Sequence, residues 1–425
     1  MMNEKRNILI IAYYFPPLGL SGVQRTLKFV KYLPQFGWKP TVLTITPTGY
    51  FAQDYSLLEE IKDIADIEIV RVGSLDPNFL FRKKENIKMP SEFVRKLFQF
   101  TSDFFFIPDN KIFWRKKVLK KADALFQEKK FEIIFATAPP WTDFLIGMEL
   151  RYKYNVPLVV DYRDSWMDNP FKYFPTPFHY FLNLRKEKKI IRASSKIFTT
   201  NRKVKELILK KHLRVQYNDI HILSQGFDKS DFPNENSKRS DNKMRITHAG
   251  IFYGKRTPNT FLIALKNLFA KNTSLKNKIE VEFIGKERSN EKKLIEKLKL
   301  QENVKSVGYL QHKECVQKIC ESDILFIAVD NNSQSPGKLY EYFGSKKPIL
   351  ANVSNGYLKH LIEESKVGFV VDLNDVENME KRILELFHLF EKNNLPKGND
   401  EFVSKFEREK LTQELSRILG FLSFE

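Results

Sequence analysis

The chain repeats one pattern almost from end to end: short, unbroken apolar runs alternate with stretches of helical period. In the first half the runs fall at residues 7–14, 41–45, 67–72, 131–136, 158–161, 196–199 and 220–224. An unbroken run of this length suits a strand buried on both faces, and helical segments between such strands predict a parallel sheet covered on both sides. Residues 22–36 show that helical period through Leu27, Val30 and Leu33. From about Gly226 to Lys243 the chain turns polar, with almost nothing to bury, as a linker does. A second series starts at Met244, with runs at 245–248, 280–284, 304–307, 324–328, 349–352 and 369–371, and the chain closes in helical pattern at 376–393 and 400–422.

Single cores seldom grow past about 250–300 residues, so 425 residues with this pattern predict two domains. The expected division is residues 1–227, a linker at 228–243, residues 244–400, and a terminal helix at 401–425 packing back on the first domain. The predicted fold class is α/β: two doubly wound, Rossmann-like domains facing each other across a cleft. In open parallel sheets ligands bind at the carboxyl ends of the strands, which directs attention to the loops there.

The richest of these is residues 335–344, SPGKLYEYFG, followed by the buried run of 349–352. Pro336 and Gly337 open a short helix, where Pro is tolerated and backbone N–H groups point outward. Such a terminus attracts anions, and Lys338 adds a full positive charge to it. Glu341, four residues after Gly337, shares its face. A diphosphate at the helix tip would leave an attached ribose within reach of that carboxylate. The plain alternative is a solvated i, i+3 ion pair, with Gly344 stopping the helix.

Three further loops follow predicted strands. Residues 13–25 place Gly19 and Gly22 where the backbone can approach a ligand, with Arg25 either aiding a phosphate or facing solvent; neither a G-x-G-x-x-G nor a Walker spacing is present. Residues 161–166, DYRDSW, put Asp161, Arg163 and Asp164 at a strand's carboxyl end, where either chemistry or a structural ion pair would serve. Residues 247–258 combine Gly250, Lys255 and Arg256 with a helix start at Thr257-Pro258. His312 and Cys315 are too few to hold a structural zinc and read as ordinary helix residues. No metal site or covalent nucleophile is expected.

The two cysteines, Cys315 and Cys320, cannot build a disulfide framework, which fits a reducing compartment. The run at 8–14 ends at Pro16-Pro17 without a cleavage pattern, and no window spans a membrane. The expectation is a cytoplasmic protein, at most attached to a surface. The net charge of +19 asks for a partner. Residues 80–130 carry 14 Lys/Arg against 6 Asp/Glu, a net of +8, interleaved with Phe93, Phe98, Phe100, Phe104, Phe105, Phe106, Phe113 and Trp114. Basic residues with interfacial aromatics favour an anionic membrane; a nucleic-acid surface and a bias of composition compete with that reading.

The motifs at 13–25, 107–114 (IPDNKIFW), 161–166, 222–228 (ILSQGFD), 248–258 and 335–351, in this order over nearly the whole chain, resemble the retaining GT-B glycosyltransferases of the family-4 type, above all those of bacterial surface-polysaccharide and lipopolysaccharide assembly. The resemblance implies transfer of a sugar from a UDP- or GDP-linked donor to a glycan or lipid-linked acceptor, without a metal or other cofactor, at the inner face of the plasma membrane and without nucleic acid. It matches Glu341 to the ribose-binding Glu, Lys255 and Arg256 to the diphosphate clamp assisted by Lys338, and the loop around Gly22 to the one closing over the donor. Two departures stand out. Ser333 takes the place of a frequent Glu eight residues before Glu341, and Gly250-Ile251 replaces a Gly-Arg pair. A hydrolysing nucleotide-sugar epimerase of the same fold and a basic membrane- or nucleic-acid-binding protein remain as other classes; against the epimerase, the first domain shows no suitable carboxylate and His set.

Overall fold

The computed structural model describes residues 5–19, 21–47, 52–74, 92–233, 241–252, 256–331 and 334–423. The chain divides into two units, Met1–Ser224 with Arg408–Glu425, and Gln225–Glu407.

The first unit is built on seven strands, β1 (Arg6–Ile11), β2 (Trp38–Ile45), β3 (Glu68–Val72), β4 (Ile133–Ala138), β5 (Leu158–Tyr162), β6 (Lys196–Thr199) and β7 (Ile220–Ile222). They lie in the order 3-2-1-4-5-6-7, every neighbouring pair parallel. Its helices are α1 (Ser21–Tyr32), α2 (Ser56–Glu59), α3 (Glu92–Phe105), α4 (Arg115–Glu128), α5 (Thr142–Tyr154), α6 (Pro177–Ala193) and α7 (Arg202–Lys211). All residues of β4 and β5 are buried, as a strand covered on both faces requires. The helical period of 22–36 breaks at Pro34, where the chain tightens into a 3-10 turn.

The second unit carries β8 (Met244–Ala249), β9 (Ile279–Ile284), β10 (Val304–Gly308), β11 (Ile324–Val329), β12 (Ile349–Val353) and β13 (Gly368–Val371), in the parallel order 10-9-8-11-12-13. Its helices are α8 (Asn259–Lys271), α9 (Ser289–Lys297), α10 (His312–Glu321), α11 (Gly337–Ser345), α12 (Tyr357–Glu364), α13 (Val376–Glu391) and α14 (Asp400–Ser404). Alternate residues of β11 feed two cores: Ile324, Phe326 and Ala328 one, Leu325, Ile327 and Val329 the other. That is the period of two expected of a sheet with helices on both faces.

Each of the apolar runs overlaps a strand, and both sheets are doubly wound. The tail differs from the expectation of one helix. It splits into α14 and α15 (Arg408–Leu422), because Phe406 and Glu407 pair with the backbone of Phe227 instead of continuing the helix. Phe402 and Phe406 therefore stay in the second unit's core. α15 belongs to the first unit, where Leu411, Leu415, Ile418 and Leu419 join the core and Ser416 Oγ accepts from Trp38 Nε1 at 3.0 Å. Among the described residues no helix is long and apolar enough to cross a membrane.

Leu419 is fully buried, so Leu419→Ala leaves a cavity and is expected to destabilise the first unit by about 2–5 kcal/mol. Urea unfolding measures this; a loss below about 1 kcal/mol would show that α15 is a loosely attached appendage.

Candidate functional site

In the second unit the strand order reverses between β8 and β11, so a crevice opens at their carboxyl ends. β8 ends at Ala249 and passes into Gly250 with φ of 149°, a conformation that side chains rarely adopt. Beyond β11, Asp330 Oδ1 lies 3.7 Å from Arg256 Nε. α11 then starts at Gly337, with Pro336 in extended conformation before it and no side chain capping its first amides. The N-terminus of a nine-residue helix thus sits at the switch point, where its amides and dipole favour an anion.

α11 is clipped in place by its own tyrosines. Tyr342 donates from its hydroxyl to the Phe326 carbonyl at 3.3 Å and accepts from the Ala249 amide at 2.8 Å, tying the helix to β11 and β8 together. The Tyr340 hydroxyl lies 2.7 Å from Ser335 Oγ. The helix does not stop at Gly344, as its sequence suggested, but at Ser345, with Lys346 left-handed beyond it. Gly344 has another cause: a Cβ there would come within 2.6 Å of the Phe227 ring.

Lys338 donates from Nζ to Glu341 Oε2 at 2.6 Å and to Cys315 Sγ at 3.5 Å. This is not the solvated pair of the plain alternative, because Glu341 is only 8% exposed. Burial opposes the Lys338 charge, but the Cys315 thiolate formed in base and the Glu341 carboxylate outweigh it and hold the amine above the usual lysine value. Burial also pushes the Cys315 thiol up, so at neutral pH the sulfur is an uncharged neighbour.

His248, two residues before Gly250, was not singled out from the sequence. Its Nδ1 lies 3.0 Å from the Phe326 carbonyl and its ring stacks on Phe252 at 4.1 Å. With Nδ1 donating, Nε2 is an acceptor, and it is buried without a partner among the described residues. Burial lowers the imidazole pKa to about 4, with Arg256 and Lys338 adding to the effect. His248 thus registers the positive field of both cations, one from the loop after β8 and one from α11. α8 begins at Asn259 with Pro258 before it, one residue later than the expected Thr257 cap. Lys255 and Ser333 lie outside the described residues.

In the first unit the switch point lies between β1 and β4. Arg25 neither faces solvent nor points at a ligand position. It is fully buried, with Nε at 3.0 Å and Nη2 at 2.8 Å from the Asp161 carboxylate, which also accepts from Thr137 Oγ1 at 2.9 Å. Asp161 is therefore committed to the frame of the site. Arg163 donates to the carbonyls of Gly22 and Pro139, holding the α1 loop against the end of β4. Asp164, half-buried, lies close enough to favour the Arg163 charge.

Asp143 in the first turn of α5 is a carboxylate that sequence reading missed. It is fully buried, Oδ2 accepts from the Tyr13 amide at 2.9 Å, and Oδ1 has no partner among the described residues. Burial, with Asp109 nearby, raises its pKa well above the ordinary value despite that amide and Arg163. Asp109 itself anchors the 107–114 segment by accepting from the Thr142 amide at 3.0 Å and hydroxyl at 2.7 Å.

Residues 229–398, most of the second unit, match the family model of the glycosyl transferases group 1. Sucrose-phosphate synthase from Thermosynechococcus elongatus superposes with a TM-score of 0.69 at 14% identity, over 98% of this chain and 99% of that one. The fold is GT-B. HepE from Anabaena, solved with UDP-glucose, gives 0.65 at 13% identity over 98% and 99%. WaaG, a glycosyltransferase involved in lipopolysaccharide biosynthesis, gives 0.59 at 13% over 97% and 99%. No curated protein matches the chain by sequence. Within the GT-B fold, the second unit brings Gly250, Arg256, Pro336, Gly337, Lys338 and Glu341 to the carboxyl ends of β8 and β11.

Two titrations follow. The unfolded chain protonates a histidine below about 6.5, whereas folded His248 resists protonation until about 4. Acid therefore favours unfolding, and between pH 7 and pH 4 this group alone removes about 3 kcal/mol. His248→Phe should flatten the acid limb of the stability curve; an unchanged slope would reject the assignment. For Asp143 the sign is opposite. The unfolded carboxyl ionises near pH 4 while the folded one holds its proton, so rising pH costs about 1.4 kcal/mol per unit until the folded group ionises. Asp143→Asn should stabilise the first unit increasingly as the pH rises above about 4, measured by denaturant titration at each pH.

Proposed function

We propose that the chain transfers a glycosyl group, with retention and without a metal, from a UDP- or GDP-linked sugar to a glycan or lipid-linked acceptor in bacterial cell-surface polysaccharide assembly. The observation that carries this reading is the uncapped α11 N-terminus at the β8/β11 switch point, with Lys338 and Glu341 on its first turns and Arg256 on the neighbouring loop. The family match of residues 229–398 supports the class of reaction. The UDP-glucose bound to HepE and the lipopolysaccharide pathway of WaaG support the donor and the setting.

In this reading the diphosphate lies on the α11 amides with Lys338 and Arg256 around it, and Glu341 accepts from the ribose diol. The bond between the anomeric carbon and the diphosphate breaks as charge builds on the departing oxygen, where fixed amides and cations stabilise it without reorganising. The acceptor oxygen bonds to the same face of the anomeric carbon, and its proton passes to the leaving phosphate. The first unit's β1/β4 crevice, with Asp143, Arg163 and Asp164 around it, would receive the acceptor. The protein works in the cytoplasm, peripherally on the inner face of the plasma membrane.

A thermal-shift panel of UDP, GDP, ADP and their sugars tests the donor, since a ligand that binds only the folded chain raises its melting temperature. Glu341→Ala removes hydrogen bonds to a charged group, about 1.5–3 kcal/mol, and should weaken nucleotide binding about 10- to 150-fold. An unchanged affinity would remove Glu341 from the site. Turnover should survive chelation of divalent metals, and the product's anomeric configuration by NMR should match the donor's. Release of an epimerised free sugar without acceptor would favour the epimerase instead.

A further inference from the structure

The first unit carries a surface that the proposed transfer reaction does not use. On α3, Phe98 is 65% and Phe105 73% exposed, and on α6, Phe178 is 64% and Phe181 57% exposed. These belong to one patch, because the two helices touch. His179 Nε2 lies 2.9 Å from the Phe104 carbonyl, and the two rings are 5.3 Å apart. Phe105 and Phe178 are the sequence neighbours of that contact and point outward beside it. Large apolar patches of this kind on a soluble surface mark an interaction site.

α6 continues from this rim as a cationic face. It carries Arg185, Lys186, Lys188, Lys189 and Arg192 against a single carboxylate, Glu187. Glu187 is buried and bonded to His212 at 2.9 Å, so it offers no counter-charge to the surface. Phe178, Phe181, Arg185 and Lys189 fall on one side of the helix by their spacing, so aromatic and basic residues share a face. Between α4, α5 and α6 lies a cavity of about 450 Å³, into which Arg115, Arg185, Lys186 and Lys189 bring four cations and Glu149 one carboxylate. Arg115 Nε lies 2.5 Å from Glu149, leaving three cations over a floor that includes Met148 and Leu182. Burial, with Arg115 and Lys189 close by, outweighs the opposing pull of Glu149 and holds the Lys186 amine below the usual lysine value.

We propose that this face docks on an anionic phospholipid membrane, the phenylalanines of α3 and α6 entering the interface and a lipid phosphate occupying the cationic cavity between α4, α5 and α6. Charge complementarity selects this occupant. Exposed phenylalanines next to a cationic cavity repeat the polarity of a lipid, apolar chains beside an anionic headgroup. The inference specifies the surface by which the proposed enzyme reaches a lipid-linked acceptor, and rests on that reading for its purpose but not for its test. It also narrows the aromatic segment noted in the sequence. Residues 80–91 and the Phe93 side chain lie outside the described residues, and Trp114 is fully buried, donating to the Val72 carbonyl at 3.0 Å.

The test uses the full chain and vesicles of phosphatidylcholine, alone or with about one-third phosphatidylglycerol. Cosedimentation is expected with the anionic vesicles only, and to weaken with salt. Arg185→Ala with Lys189→Ala should lower partitioning about thirtyfold, which is two contributions of about 1 kcal/mol. Phe178→Trp supplies a second readout. All four native tryptophans, Trp38, Trp114, Trp141 and Trp166, are buried, so a blue shift on adding vesicles would come from position 178. Equal binding to both vesicle types, undiminished binding by the double variant, or an unmoved emission each overturns the proposal. Inorganic phosphate raising the melting temperature of the wild type but not of the double variant, without vesicle binding, would assign a soluble anion and also overturn it. So would a protein partner captured by the patch in place of lipid. If vesicle binding fails while nucleotides still shift the melting temperature, the docking surface falls and the transfer reaction stands; the reverse result separates them the other way.

Discussion

The first unit depends on the ion pair between Arg25 and Asp161. Both side chains are fully buried, the guanidinium meets both carboxylate oxygens, and Nη1 also donates to the Ser224 carbonyl at 2.7 Å. One residue thereby ties α1 to β5 and to the end of the last strand's loop. Thr137 on β4 fills a further acceptor position of Asp161. Such a pair contributes little as an alternative to apolar packing, but once built it is costly to break: losing one partner strands a buried charge, at about 3–5 kcal/mol. Its effect is geometric. It fixes the turn of α1 that carries Gly22, and Arg163 then holds the Gly22 carbonyl from the same strand end.

The second unit solves the same problem with neutral groups. Tyr342 joins α11 to β8 and β11 through one hydroxyl that donates and accepts, so no cation is consumed in fixing the helix. Lys338 and Glu341 remain at the crevice, paired, among the described residues, with each other and with a sulfur. In the proposed reaction a diphosphate at the α11 amides would compete with Glu341 for Lys338, and a carboxylate released from that pair would be a stronger acceptor for a diol. The pairing thus links the two halves of the proposed donor: phosphate binding frees the group that reads the ribose.

Much of this was legible in the sequence, for physical reasons. A strand buried on both faces must be apolar throughout, so each strand announced itself. Pro336, Gly337, Lys338 and Glu341 lie within one turn and a half, where helix geometry fixes neighbours from spacing alone. Arg25 and Asp161 are 136 residues apart, and nothing local distinguishes an arginine that will be buried against a distant carboxylate from one that will meet a phosphate. Asp143 was missed for a related cause: its lack of a partner for Oδ1 is a property of the packed crevice. His248 stood in plain view beside Gly250, but its role needs the Phe326 carbonyl from another strand.

The two units share one winding yet differ in where they send positive charge, and this bears on how their work is divided. At the first unit's switch point both arginines turn inward, Arg25 to a carboxylate and Arg163 to backbone carbonyls. Buried beside Arg163 is a carboxyl group held toward its neutral form, Asp143. At the second unit's switch point Lys338 keeps its charge, His248 is held neutral, and an uncapped helix terminus adds its dipole. A diphosphate is stabilised by the second arrangement and would find little counter-charge in the first. A neutral hydroxyl has the opposite preference, since it needs hydrogen-bond partners without excess charge. The proposed division into a donor-binding second unit and an acceptor-binding first unit would therefore follow from the fate of a few cations, on a backbone plan that both units have in common.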